Sequence, residues 1–262
     1  MLDAKNIDAA LGGKRVLRNA SLRARAGRLA VIVGPNGSGK TTLLRAITGD
    51  LAHSGSVHLN GQDTRRIPAW ALAELRAVLP QASQLAFPFT VHEVVRLGLV
   101  GANALRSDAA ILPVRALERV GLAGYGGRYF QELSGGEQAR AQLARVLLQV
   151  WQPVVDGVPR WLFLDEPVAA LDIGHQLQVM ALARDFARAG GGVIAVMHDL
   201  NLTAMFADDI TLMLDGQVLA HGGVRDVLTD ANLSRAYGCA LRVSALPRRD
   251  EAFVLPQAAE IS

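Results

Sequence analysis

Cysteine is almost missing from this chain. Cys239 is the only one in 262 residues, which excludes an internal disulfide and fits a reducing compartment. A single thiol of this kind reads as a small filler rather than a reactive group. Lysine is nearly as scarce, with Lys5, Lys14 and Lys40 the only three among 27 basic side chains. Aromatic residues make up 5%, and none occurs before Trp70. No stretch reaches the ~18 uninterrupted apolar residues that a spanning helix needs. The first residues, Met1 to Lys14, carry Asp3, Lys5 and Asp8 without an apolar h-region, so no signal peptide is expected. A surplus of charge is lacking too: 27 basic against 24 acidic residues leave +3. Adjacent basic pairs such as Arg65-Arg66 and Arg248-Arg249 are short, and a nucleic-acid surface needs a denser stripe. These absences point to a cytosolic chain that meets a membrane only through a partner.

Half of the residues are hydrophobic and 19% are charged, which is ordinary globular chemistry with ample chain for a core. Internal repeats, low-complexity segments and long heptad runs do not appear. Three short apolar runs end in polar residues. Leu29 to Val33 runs into a glycine-rich turn, Trp161 to Leu164 ends at Asp165-Glu166, and Val193 to Met197 ends at His198-Asp199. Runs apolar on both faces read as central strands of a sheet covered on both sides. Helical patterns lie between them, so the fold class is α/β with a mainly parallel sheet, and chemistry gathers at the carboxyl ends of its strands. From about Ala82 to Val150 the reading changes to helices over Val91–Leu99, Ala109–Val120 and Gly136–Val150, taken as a helical subdomain inserted in the core. Short helices are expected near Val224–Leu228 and Asn232–Tyr237, followed by a Pro-punctuated tail.

Gly34-Pro35-Asn36-Gly37-Ser38-Gly39-Lys40-Thr41 matches the G-x-x-x-x-G-K-[ST] phosphate loop. Its glycines let successive N–H groups face one phosphate, and the helix that continues through Thr42 adds its dipole. Lys40 brings a cation to the β and γ phosphates, and the Thr41 hydroxyl can ligate Mg²⁺. Asp165 and Glu166 end a strand expected to lie beside the strand of this loop. The first carboxylate would hold the metal shell, and the second would orient or deprotonate a water. Taken alone, such a pair is equally a helix-capping pair. Ser134-Gly135-Gly136-Glu137 opens another helix. It reads as a second anion-binding terminus or as a capping box, Ser with Glu three residues later, and both can hold at once.

In combination these motifs resemble the nucleotide-binding subunits of ABC transporters, over nearly the whole chain from Ala4 to about Gly238. GPNGSGKT is similar to their phosphate loop, LSGGEQ to their signature and WLFLDEP to their acidic strand. Gln81 in LPQ resembles the Q-loop, Ala169-Ala170-Leu171-Asp172 the D-loop, and His198 in MHD the switch histidine. The resemblance implies a P-loop NTPase core with an antiparallel N-terminal β part and one ABC ATPase domain over residues 1–240, followed by a tail at 241–262. It implies ATP and Mg²⁺ as cofactors, with Thr41, Gln81 and Asp165 at the metal. Two copies would stack head to tail, each ATP lying between one phosphate loop and the other copy's Ser134-Gly135-Gly136. Glu166 would be the general base, His198 would contact the γ-phosphate, Gln81 would sense Mg²⁺ and the attacking water, and Asp172 would link the two sites. The helical insertion would hold the groove for a permease's coupling helix, so the resemblance implies a homodimer on two permease subunits at the cytoplasmic face of a bacterial inner membrane.

ABC domains commonly stack adenine on an aromatic residue near the position of Leu11, and here that residue is lacking. Leu11 and Arg15 are the candidates to carry the ring, with weaker or less base-selective binding expected. Within the family, LPQASQLAFPFTVHEVVRLG and HDLNLTAMFADDITLMLDGQVLAHG resemble ATPases of iron-chelate, haem and cobalamin importers. The stretch Trp151 to Gly157, inserted before the acidic strand, resembles the haem (hemin) importers in particular, though an ordinary surface-loop insertion reads the same way. Import of siderophores or cobalamin is the alternative. A soluble ABC ATPase acting on nucleic acid is disfavoured by the balanced charge and the lack of long coiled coils. A plain phosphotransferase has no use for the signature. No direct haem contact and no nucleic-acid partner are expected, and a periplasmic binding protein would take part indirectly.

Overall fold

The computed structural model describes residues 1–81, 87–99, 107–246 and 252–259. The expected start of the helical segment at Ala82, the Arg248-Arg249 pair and parts of the tail lie outside these residues.

The chain opens with two long antiparallel strands, β1 (Leu2–Leu11) and β2 (Lys14–Ala24), joined at Gly12-Gly13. Next come β3 (Leu29–Val33), α1 (Lys40–Ile47), β4 (Ser54–Leu59), β5 (Gln62–Asp63), α2 (Ala69–Leu75) and β6 (Arg76–Leu79). The middle of the chain is helical, with α3 (Val91–Arg96), α4 (Leu112–Arg119) and α5 (Gly135–Gln149) packed on one another. A hairpin of β7 (Val154–Val155) and β8 (Val158–Pro159) leads into β9 (Trp161–Asp165), so the inserted stretch forms a small ribbon at the start of the acidic strand. The remainder is α6 (Ile173–Arg188), β10 (Gly192–Val196), α7 (Leu200–Phe206), β11 (Asp209–Leu214), β12 (Gln217–Gly222), α8 (Val224–Val227) and α9 (Asp230–Tyr237).

Two larger sheets result. One is antiparallel, in the order β2-β1-β4-β5; the other runs β12-β11-β3-β10-β9-β6 and is parallel except at β12. The central strands are buried on both faces, as their unbroken apolar runs require. Leu29, Val31, Val33, Leu162, Leu164, Val193 and Ala195 join a core with α3 to α6. Ala30, Ile32, Trp161, Phe163, Ile194 and Val196 face the opposite way, onto α1 and the antiparallel sheet.

One expectation is corrected. The acidic strand β9 does not lie beside β3, because β10 is inserted between them and pairs with both in register. All three strands are equally apolar, so their lateral order leaves no mark on the sequence. Helices α3 and α4 are shorter than their apolar periodicity suggests, whereas α5 keeps its expected length. Helix α3 ends at Arg96, and just beyond it Gly98 passes so close to α5 that a Cβ there would stand 2.1 Å from the Arg145 carbonyl oxygen. Helix α4 starts only at Leu112, with Pro113 in its first turn, where the missing N–H costs nothing.

Candidate functional site

The turn after β3 and the first turn of α1 form the loop Gly34–Thr41. Gly34, Gly37 and Gly39 have φ of 149°, 77° and 98°, conformations that a side chain resists. At Gly34 the constraint is also one of space, since a Cβ would lie 2.3 Å from the Met213 carbonyl oxygen and 2.8 Å from Ser38 Oγ. Lys40 folds back over the loop, Nζ donating to the carbonyls of Gly34 (2.9 Å) and Pro35 (3.1 Å), and the Pro35 carbonyl also accepts from Ser38 N–H. Burial lowers the Lys40 pKa, and the carboxylates of Glu166 and Asp165 pull it back up. Ser38 Oγ is buried without a hydrogen-bond partner.

Although β9 lies one strand further away, Asp165 still reaches the loop: Thr41 Oγ1 donates to its Oδ1 at 3.0 Å. Burial pushes the Asp165 carboxyl up, with Glu166 adding to the rise, while the Thr41 bond and Lys40 oppose it. Glu166 follows in a left-handed conformation, φ 53°, a strain of ~1–3 kcal/mol for a residue with a side chain. The twist turns its carboxylate across the strand ends. Oε2 accepts from Gln81 Nε2 at 2.9 Å and Oε1 from His198 Nε2 at 2.5 Å.

Leu11, Val16, Asn36, Gly37, Gly39, Lys40, Thr41, Thr42, Glu166 and His198 line one open cavity, and Thr41, Gln81 and Asp165 share an adjoining cleft. The residues expected at the phosphates and the metal are therefore together. The unpartnered Ser38 hydroxyl and the buried Lys40 cation suit a polyphosphate. Mg²⁺ takes one or two carboxylates plus phosphate oxygens and waters, and the Thr41–Asp165 oxygen pair meets that need. Gln81 lines the cleft, yet its amide is turned to Glu166.

The second expected cluster is separate. Ser134, Gly136, Glu137 and Asp172 line a depression with Arg140 and His175, which shares no residue with the phosphate-loop cavity; Gly135 borders a groove with Gln81, Asp165 and Glu166. The capping-box reading holds at Ser134, whose Oγ accepts from Glu137 N–H while Glu137 Oε2 accepts from Ser134 N–H. That backbone bond holds the Glu137 carboxyl below its usual range. Asp172 caps α6, and the His175 N–H it accepts, followed by the His175 ring, holds its pKa low.

Of the two residues expected under adenine, Leu11 lines the cavity. Arg15 instead donates to Asp8 from Nε at 3.0 Å and from the guanidinium, and Val16 takes the place beside Leu11. Gly216 is a residue the sequence reading missed. Its N–H donates to the Ser38 carbonyl at 3.0 Å and its own carbonyl accepts from Arg18 N–H at 2.9 Å, so the β11–β12 turn braces the phosphate loop from outside. The Asp215-Gly216 pair between two strands was the available signal.

Comparison with known proteins follows the same line. The family described as ABC transporter matches residues 17–169. A hemin import ATP-binding protein of Jannaschia sp. (strain CCS1) is 58% identical, over 99% of this chain and 95% of its own length. A protein of the same name from Roseobacter denitrificans is 60% identical over 98% of each chain. Among solved structures, the bacterial ABC transporter cassette MJ0796, described as dimeric, superposes with a TM-score of 0.74 at 26% identity, covering 86% of this chain and 99% of that one.

Proposed function

The chain belongs to the ABC transporter family, and from that premise we propose that it is the ATP-hydrolysing subunit of a bacterial importer that carries haem through a membrane permease. The observation that carries the reading is the meeting of Gln81, Glu166 and His198 beside the phosphate loop. The haem assignment is supported by relatives known as hemin import ATP-binding proteins, which align over 98–99% of this chain. Among the described residues no helix is long and apolar enough to cross a membrane. The chain then joins the importer as a peripheral subunit at the cytoplasmic face, two copies with two permease subunits. Haem itself is recognised by the permease and its periplasmic binding protein.

In this reading residues 1–240 form one ABC ATPase domain, and the α3–α5 segment takes the permease's coupling helix. Lys40 exchanges the Gly34 and Pro35 carbonyls for phosphate oxygens, which lifts the burden of its burial. Ser38 and the backbone of Asn36–Thr41 cradle the β-phosphate, with Gly34 and Thr42 keeping the loop curled and the helix in line. Thr41, Asp165 and Gln81 would hold Mg²⁺, which when bound would neutralise charge on the phosphates. Glu166 accepts a proton from the attacking water, and His198 keeps its carboxylate aimed and touches the γ-phosphate. Adenine rests on Leu11 and Val16. In a head-to-tail homodimer Ser134, Gly135, Gly136 and Glu137 of one copy close over the nucleotide of the other, and Asp172 ties the two sites together.

Deleting the gene from its bacterium tests the substrate. Growth on haem as sole iron source should fail while growth on a ferric salt persists, and the wild-type gene but not Glu166→Gln should restore it. Normal growth on haem, with loss on a ferric siderophore or of cobalamin uptake, would reassign the cargo.

A further inference from the structure

Residues 130–138 and 168–176 fold into the same nine-residue device. In each, a leucine closes a turn: Leu133 N–H donates to the Phe130 carbonyl and Leu171 N–H to the Val168 carbonyl, at 3.3 and 3.2 Å. The next residue caps a helix, Ser134 accepting from Glu137 N–H and Asp172 from His175 N–H. The third helical residue reaches back, Glu137 Oε2 to Ser134 N–H at 2.8 Å and His175 Nδ1 to Asp172 Oδ2 at 2.7 Å. The fourth is glutamine in both. Gln138 Nε2 donates to the carbonyls of Phe130 (3.2 Å) and Leu133 (3.0 Å), and Gln176 Nε2 to those of Val168 (3.3 Å) and Leu171 (3.0 Å).

The two devices pack together. Gly136 leaves room for the second loop, since a Cβ there would meet the Ala170 carbonyl at 3.2 Å and Leu171 Cδ2 at 3.3 Å. A cap fixes a side chain to its own helix and leaves the incoming loop free to swing. The glutamine amide removes that freedom, because its two N–H donors are matched to two loop carbonyls that converge on it.

We infer that Gln138 and Gln176 are positioning residues, each stapling the loop that presents Ser134 or Asp172, so that the two helix starts form one rigid platform for the nucleotide held by the second copy. This rests on the head-to-tail reading above. Pre-ordering both loops removes a cost that closure over ATP would otherwise meet.

Gln138→Glu and Gln176→Glu keep the shape, remove both donors and set a carboxylate against two carbonyl oxygens. Gln138→Met and Gln176→Met remove the donors without charge and carry the test should the Glu forms not fold. ATP-driven dimerisation is followed by analytical ultracentrifugation in a Glu166→Gln background. ATP affinity of the single chain is measured separately, and ATPase activity of each single variant is recorded against protein concentration. The staples predict single-chain ATP affinity within two-fold of the parent, dimerisation weakened at least ten-fold, and half-maximal activity at a ten-fold higher protein concentration. A general structural role would lower melting temperature and single-chain affinity together, and that result overturns the inference. Closure by the parent that survives in the variants overturns it alone, whereas a parent that stays monomeric with ATP removes the head-to-tail reading and this inference with it.

Discussion

His198 Nε2 and Glu166 Oε1 stand 2.5 Å apart across two strand ends, and the second oxygen of the same carboxylate accepts from Gln81. Both Glu166 oxygens are thus occupied by groups from other strands, while its N–H holds the Val196 carbonyl at 3.1 Å. As the proposed base, Glu166 is aimed before substrate arrives, at the expense of a left-handed backbone. On the proposed mechanism, water would displace one of these partners to be activated.

Glu166→Gln keeps the shape and removes the proton acceptor. Turnover should fall about 10²–10⁴-fold, with ATP binding intact and a nucleotide-bound dimer accumulating. Steady-state ATPase assays beside gel filtration with ATP check both parts, and normal turnover would refute the assignment.

Asp165 gives a prediction with a sign. Burial raises its pKa above the ordinary 3.8, so the folded chain binds this proton more readily than the unfolded one. The associated stability is full below 3.8 and is lost as pH rises through the folded value. At neutral pH the charge therefore opposes folding. Asp165→Asn should stabilise the nucleotide-free protein by about 1 kcal/mol, or about 2–4 °C in melting temperature, and abolish Mg²⁺-dependent turnover. Melting curves at pH 7 and near pH 3.5 should show the gap narrowing with acid.

Gly216 should matter without touching nucleotide. Its φ is 79°, and a Cβ would stand 1.9 Å from the Val16 carbonyl oxygen. Gly216→Ala combines a disfavoured conformation with overpacking, about 3 kcal/mol together. Denaturant unfolding should register the loss, and ATP titration should show a raised KM through the displaced Ser38 carbonyl.

Leu11 lies at the rim of the phosphate-loop cavity, 39% exposed. Leu11→Tyr should add a stacking surface worth ~1 kcal/mol, about five-fold in ATP affinity. In the unaltered chain GTP should compete effectively with ATP; strong adenine preference at sub-micromolar affinity would count against an aliphatic platform.

The parts legible in the sequence are those where side-chain identity is itself the signal. The glycines around Lys40 announce a backbone that must curl, and strands buried on both faces announce themselves by unbroken runs such as Trp161–Leu164. What stayed hidden depends on backbone or on lateral order. The insertion of β10 between β3 and β9 could not be read, since all three runs have the same character. The carbonyls that receive the Gln138 and Gln176 amides, and the N–H and carbonyl of Gly216, are backbone groups that no residue type announces. Arg15 is a different case: its match to a nearby carboxylate, Asp8, was in view and outweighed a place under adenine.

The most direct test of the importer reading is to recover the tagged chain from detergent-solubilised membranes and identify every co-purifying chain by mass. A polytopic permease in a two-to-two complex is the predicted result. Recovery of the chain without membrane partners, bound only to nucleic acid or ribosomes, would contradict the transport function and leave the phosphate-loop chemistry standing.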